Sequence, residues 1–223
     1  SNDEVYAVWR EGDPYKDFYT RGSSSTHLTK LSSSGQELWS KELYVKGYDY
    51  PWGVETLSTG QVVVYGVTAN RIRRAGRYVD EWKEWIQVLD SSGNLLWEHD
   101  ATAINDVFAN NSNIYWIESN ARGSSLDRVQ TLVCASVDGA VQWRTRINTS
   151  YSFKGAKFDD AGMIHLLASK EGKFGDDFLY KIASDGAVIG EIQFGFNGNA
   201  KDFLFDGKNY ILAGDEVGVN SQS

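Results

Sequence analysis

The chain has 223 residues, 41% hydrophobic and 13% aromatic, with 22 Gly against 2 Pro; this is too apolar for disorder and suits short strands joined by tight turns. A formal charge of −8 repels phosphate, which argues against nucleic acid and anionic membrane as partners of the domain as a whole. The single cysteine excludes an internal disulfide framework, and no apolar run reaches the roughly 20 residues that span a bilayer, so membrane insertion is not expected.

Ser1 and Asn2 read as a cloning remnant, and residues 1 to 20 lack the order of a signal peptide. A strand is expected at Val5 to Trp9, then a long connection over 10 to 25. Next comes a hairpin, LTKLSSSGQELWSKEL (28 to 43), whose like returns as IQVLDSSGNLLWEHDA (86 to 101), LVCASVDGAVQWRTRI (132 to 147) and LYKIASDGAVIGEIQF (179 to 194). These units align on Gly35, Gly93, Gly139 and Gly186, at intervals of 58, 46 and 47 residues. Four residues after the first three glycines stand Trp39, Trp97 and Trp143, and Gly190 takes that place in the fourth. Each unit is therefore an apolar strand, a Ser/Asp-rich turn closed by a glycine able to take positive φ, and a second strand carrying the Trp inward. Cys134 sits in the apolar run of the third unit and reads as a small core residue rather than a nucleophile.

Between the hairpins lie further strand pairs: 53 to 57 with 61 to 68, 104 to 109 with 113 to 119, 154 to 158 with 162 to 169, and 201 to 205 with 208 to 214. Isolated hairpins are barely stable in water, so the units must stack. Four antiparallel strands per repeat predict an all-β β-propeller in one domain, residues 3–223. It would have four or five four-stranded blades, or be an arc of a larger propeller. A β-sandwich is the alternative, but it does not require the same turn and Trp to recur.

The phrases LSSSGQELW, LDSSGNLLW and SVDGAVQW resemble the repeat of PQQ-like, tryptophan-docking propellers and related bacterial extracellular proteins, in which a D-x-x-G-x-x-x-W-like hairpin closes each blade. The resemblance implies a bacterial setting that is extracellular, cell-surface or periplasmic. It does not carry the quinone cofactor over, because Cys134 alone cannot form the adjacent cysteine pair of many such enzymes. No cofactor is expected, and no His/Cys/Asp/Glu spacing predicts a metal.

In a propeller of this connectivity the short turns lie at one end and the long connections at the other, where binding commonly sits. The long set within blades is 10 to 25, 69 to 83, 120 to 128 and 170 to 177. The blade-to-blade connections carry Tyr48, Tyr50, Trp52, Tyr151, Phe153 and Phe196, with Asp106, Lys154, Lys201 and Asp202 beside them. Aromatic rings next to a few charges suit a carbohydrate, or a protein or peptide partner. Arg71, Arg73, Arg74 and Arg77 form a weaker candidate for an anion, against the plainer reading of a solvated hairpin whose arginines pair with its own Asp and Glu. The leading expectation is a non-catalytic ligand-binding or scaffold domain. The alternative is a propeller hydrolase or lyase in which Asp106 and Asp202 converge with one of His27, His99 or His165; a structural spacer is a third reading.

Overall fold

The computed structural model describes residues 4–11, 25–43, 48–101, 103–110, 112–119, 129–147, 151–170, 177–194 and 198–216. Among the described residues all regular structure is β-strand: β1 (Val5–Glu11), β2 (Ser25–Leu31), β3 (Glu37–Leu43), β4 (Tyr48–Thr56), β5 (Val62–Arg74), β6 (Arg77–Leu89), β7 (Leu95–Ala101), β8 (Ile104–Ala109), β9 (Asn113–Ser119), β10 (Gln130–Ser136), β11 (Val141–Ile147), β12 (Tyr151–Phe158), β13 (Ile164–Lys170), β14 (Asp177–Ile182), β15 (Val188–Phe194), β16 (Gly198–Phe205) and β17 (Tyr210–Glu216). They form sheets in the orders β1-β2-β3, β4-β5-β6-β7, β8-β9-β10-β11, β12-β13-β14-β15 and β16-β17. The hairpins expected from the repeat are β2-β3, β6-β7, β10-β11 and β14-β15, all antiparallel.

Two compact units make up the chain: Ser1–Asn113 with Val137–Gly139, and Ile114–Ser136 with Ala140–Ser223. In the first, Leu28, Leu43, Val62, Val64, Trp85 and Leu89 form a buried cluster on which Tyr6, Val8, Trp39 and Val54 pack. In the second, Leu167, Leu179, Ala200 and Phe203 do the same with Ile192, Phe194, Tyr210 and Leu212. Burying an aliphatic or Phe side chain of this kind contributes about 1.5–3 kcal/mol. Cys134 is buried opposite Trp143, and burial pushes its thiol pKa up to about 11, which removes it as a nucleophile near neutral pH.

Each repeat glycine has positive φ, from +76° to +90°, and in the three hairpins after the first an indole lies against it. The tryptophans expected to point inward instead stand half-buried on the outermost strand and lean onto the next turn. In the first unit Trp39 covers Gly93, while Trp97 covers Gly139 and donates through Nε1 to the Val137 carbonyl at 2.9 Å. In the second, Trp143 covers Gly186 and donates to the Ser184 carbonyl at 2.9 Å, beside a Thr145 hydroxyl that donates to the Gly186 carbonyl at 2.6 Å. The glycine is needed twice over, for its backbone angle and for the absence of a Cβ where the ring sits.

A second tie between neighbouring sheets uses polar groups. Nine residues before the four repeat glycines stand Thr26, Glu84, Gln130 and Asp177, all buried. Glu84 accepts the amide of Ile104, and Asp177 accepts the amide of Ala200 at 2.7 Å together with the Ser169 hydroxyl. A third-strand carboxylate thus holds the first strand of the following sheet, satisfying a backbone donor that would otherwise be buried unpaired. Counting from the register break in its strand, Pro51 of β4 occupies the place Ala200 has in β16. Proline has no amide to donate, and the buried residue nine before Gly35 is the uncharged Thr26, whose hydroxyl has no hydrogen-bond partner among the described residues.

Candidate functional site

The first strands of three sheets begin earlier than the sequence indicated, because each carries a bulge. Register slips between Pro51 and Gly53 in β4, between Phe153 and Gly155 in β12, and between Ala200 and Asp202 in β16. The skipped residues are Trp52, Lys154 and Lys201. A bulge leaves its extra residue out of the ladder and turns its side chain away from the regular face. Trp52 is accordingly 50% exposed, Lys154 half-buried and Lys201 exposed.

Asp106 and Asp202 make the same local contact, their Oδ1 accepting the amide of the next residue, Val107 at 3.0 Å and Phe203 at 2.8 Å. Burial raises the Asp106 pKa and outweighs that hydrogen bond. Asp202 is exposed and lies 3.7 Å from Lys157, and Lys201 lies 3.2 Å from Asp215. Phe153 is half-buried beside its bulge. Tyr48 and Tyr151 open β4 and β12. Phe196 falls outside the described residues, as do most of the long connections, including 120 to 128.

One cluster in the first unit was not anticipated. Arg10 of β1 lies over the Tyr50 ring, 4.4 Å from its centroid, and the ring of Trp82 lies tilted against Tyr50 with centroids 6.3 Å apart. Asp49, next to Tyr50, is buried and accepts the Thr68 hydroxyl at 2.8 Å. Burial lifts its pKa to about 7, against the opposing pulls of Thr68 and Arg10. A buried acidic residue between aromatics in YDYPW was a readable signal for a polar core contact. Arg10, forty residues away, gave no such signal.

The stretch 69 to 83, expected as a connection, is instead continuous β-structure. β5 and β6 run paired from Val62↔Leu89 to Arg74↔Arg77, closed by Ala75 and Gly76 at φ 48° and 81°. Two successive positive φ values are those of a tight two-residue hairpin turn. Strand-period alternation in NRIRRAGRYVDEW carries the ladder outward, and the arginine run does not interrupt it. Arg73, Arg74 and Arg77 are exposed at the tip, and Arg71 lies further down β5, paired in register with Asp80. Arg74 bridges to Glu81 at 3.0 Å.

The histidines have structural partners. His27 stacks on Trp9 with centroids 4.4 Å apart and lies 3.2 Å from Glu11. His165 is buried, 2.8 Å from the Tyr210 hydroxyl and 3.4 Å from Asp159, and stacks on Phe205. Asp159 closes the short β12–β13 turn by accepting the amides of Ala161 and Met163, so His165 braces a turn. Among the described residues no group of three or more His, Cys, Asp or Glu could hold a metal ion.

No family model matches the chain, and no curated protein matches it. Among solved structures, a protein of unknown function from Bacteroides caccae is similar at a TM-score of 0.50 and 13% identity, over 84% of this chain and 61% of that one. The chain thus spans about three fifths of that structure's length. A Synechocystis apocarotenoid oxygenase matches at a TM-score of 0.44 and 13% identity, over 76% of this chain and 44% of that one. These likenesses are at the level of an all-β fold.

Proposed function

We propose that the chain is a non-catalytic ligand-binding module of β-propeller type, its sheets being successive blades, and that it binds a glycan or peptide at the end bearing the long connections. The blade reading is supported by the succession of four-stranded sheets and by the indole-on-glycine contact repeated from one sheet to the next turn. The observation that carries the binding reading is Trp52, a large apolar ring set on a bulge and half-exposed beside the Arg10–Tyr50–Trp82 stack. An indole held out on rigid sheet structure is well suited to stacking on a sugar ring or an apolar peptide side chain. The repeat resemblance goes with an exported or surface-exposed bacterial protein.

The test is a screen of immobilised saccharides and peptides with the wild type and Trp52→Ala. Binding that weakens about tenfold in the variant is expected, within the range for loss of one aromatic contact. A blank screen, or binding indifferent to Trp52, would overturn the proposal.

A further inference from the structure

The outer part of the β5–β6 hairpin extends past its flanking strands as an arm. Strand β4 flanks it only as far as Tyr48↔Ala69, and β7 only as far as Ala101↔Glu84. The pairs from Asn70↔Glu81 to Arg74↔Arg77 have no flanking strand among the described residues. At about 3.3 Å per residue the arm projects roughly 16 Å.

Its chemistry differs from the rest of the chain. Residues 70–82 hold four arginines against Asp80 and Glu81, in a protein whose formal charge is −8. Arg74 and Arg77 are direct cross-strand partners, an arrangement in which like charges oppose pairing. Glu81 relieves only the Arg74 side. Cross-strand partners share a face and alternate residues change face, so Arg73, Tyr78 and Trp82 lie on one side of the arm, with the register pair Arg71↔Asp80 between the rings, and Arg74, Arg77 and Glu81 lie on the other. Tyr78 is 56% exposed and Trp82 39%. Four residues along one strand separate them by roughly 13 Å, and Trp82 leads on to Tyr50 and then to Arg10. The arm therefore presents two exposed rings with Arg73 at its outer end, while Arg10 at the inner end is half-buried over Tyr50.

From this we infer that the arm is the docking track for an acidic polysaccharide of the uronic-acid type. Rings of the polymer stack on Tyr78 and Trp82, and a carboxylate is held by Arg73 at the tip. Guanidinium groups grip carboxylates in a planar, bidentate way, and aromatic faces accept the C–H faces of sugars. A purely charged partner would leave the rings unused, and a neutral glycan the arginines. The inference rests on the binding reading above and names the ligand class.

Titration calorimetry with polygalacturonate, its methyl ester and poly-L-glutamate tests it. Saturable binding of polygalacturonate is expected, at least tenfold weaker for the ester, with none for poly-L-glutamate. Replacing residues 71–80 by Asn-Gly joins Asn70 to Glu81, a pair of the same hydrogen-bonding type as Arg74↔Arg77, through another two-residue turn and keeps the register; it should abolish binding. Tyr78→Ala should weaken it by about two- to tenfold, and Arg73→Gln by about tenfold. These two exposed substitutions carry the test should the shortened chain not fold. Equal binding of poly-L-glutamate, undiminished binding of the ester, or full affinity without the arm's side chains would each overturn the inference. Binding lost in Trp52→Ala but kept in the arm variants would overturn it while leaving the function proposed above standing.

Discussion

Substituting alanine at Gly186 perturbs the contact that repeats through the chain. A Cβ there would stand 2.7 Å from Trp143 Cδ2 and Cε3 and 2.8 Å from the Thr145 hydroxyl, on a backbone at φ +90°. Gly35 is the built-in control, with φ +79° and nothing within 4 Å of the added atom. Gly35→Ala therefore pays only for left-handed backbone, about 1–2 kcal/mol. Gly186→Ala pays that and also displaces the indole, losing its hydrogen bond to Ser184 (about 1 kcal/mol) and part of its burial, for a total of about 3–5 kcal/mol. Trp143→Ala alone should cost about 2–3 kcal/mol, since the ring is only half-buried. Once the indole is gone, Gly186→Ala should cost only the backbone term and the remaining close contact with the Thr145 hydroxyl, so the double mutant is more stable than additivity predicts by about 1–2 kcal/mol. Urea unfolding followed by far-ultraviolet circular dichroism measures all four. Equal costs at Gly35 and Gly186, or an additive cycle, would refute the docking argument.

Asp49 gives a pH prediction. Its folded pKa, about 7, lies above the unfolded value near 3.9, so between about pH 4 and 7 the folded state binds more protons and stability falls as pH rises. The ceiling on that loss is about 4 kcal/mol, and Asp49→Asn, which still accepts from Thr68, should flatten this part of the pH-stability curve and be the more stable form at pH 8; an unchanged curve counts against it. Asp177→Ala leaves the Ala200 amide and the Ser169 hydroxyl without their acceptor and should lower unfolding free energy by about 2–4 kcal/mol, whereas Asp177→Asn, retaining an acceptor oxygen, should cost less than half as much in the same urea titration. Tyr210→Phe removes the hydroxyl on His165 and should cost about 1 kcal/mol. A neutral result there would mean that the His165 brace holds nothing.

The hairpins were legible because two local demands coincide in each: alternation in the strands, and a glycine where the turn requires positive φ. The first strands were harder to delimit. Pro51 and Gly53 in β4, and Gly155 in β12, look like connection residues, yet they belong to strands bent by a bulge, and a bulge hides the alternation on which strand reading depends. A hairpin at 70–82 whose arginines pair with its own acids was readable, as Arg74 and Glu81 do, but its continuity with β5 and β6 was obscured, since a charge run suggests a loop even when every second residue keeps to one face. Glu84 and Asp177 look like ordinary charged residues on half-exposed strands, because their partners are backbone amides in the next sheet and leave no mark in the sequence. Only their common distance from the turn glycine betrays them. Tyr50 and Trp52 could be named from their chemistry, but Arg10 reaches Tyr50 through tertiary packing that no local pattern encodes.

The central claim is that this protein binds its ligand at the end of the β4-β5-β6-β7 sheet that carries the Trp52 bulge and the arm, away from the short glycine turns. Hydrogen exchange of the intact chain with and without saturating polygalacturonate addresses it directly. The account predicts slowed exchange at residues 48–56 and 70–82, with the turns at 57–61, 90–94 and 159–163 unchanged. Protection confined to those turns, with none in the arm or around Trp52, would contradict it.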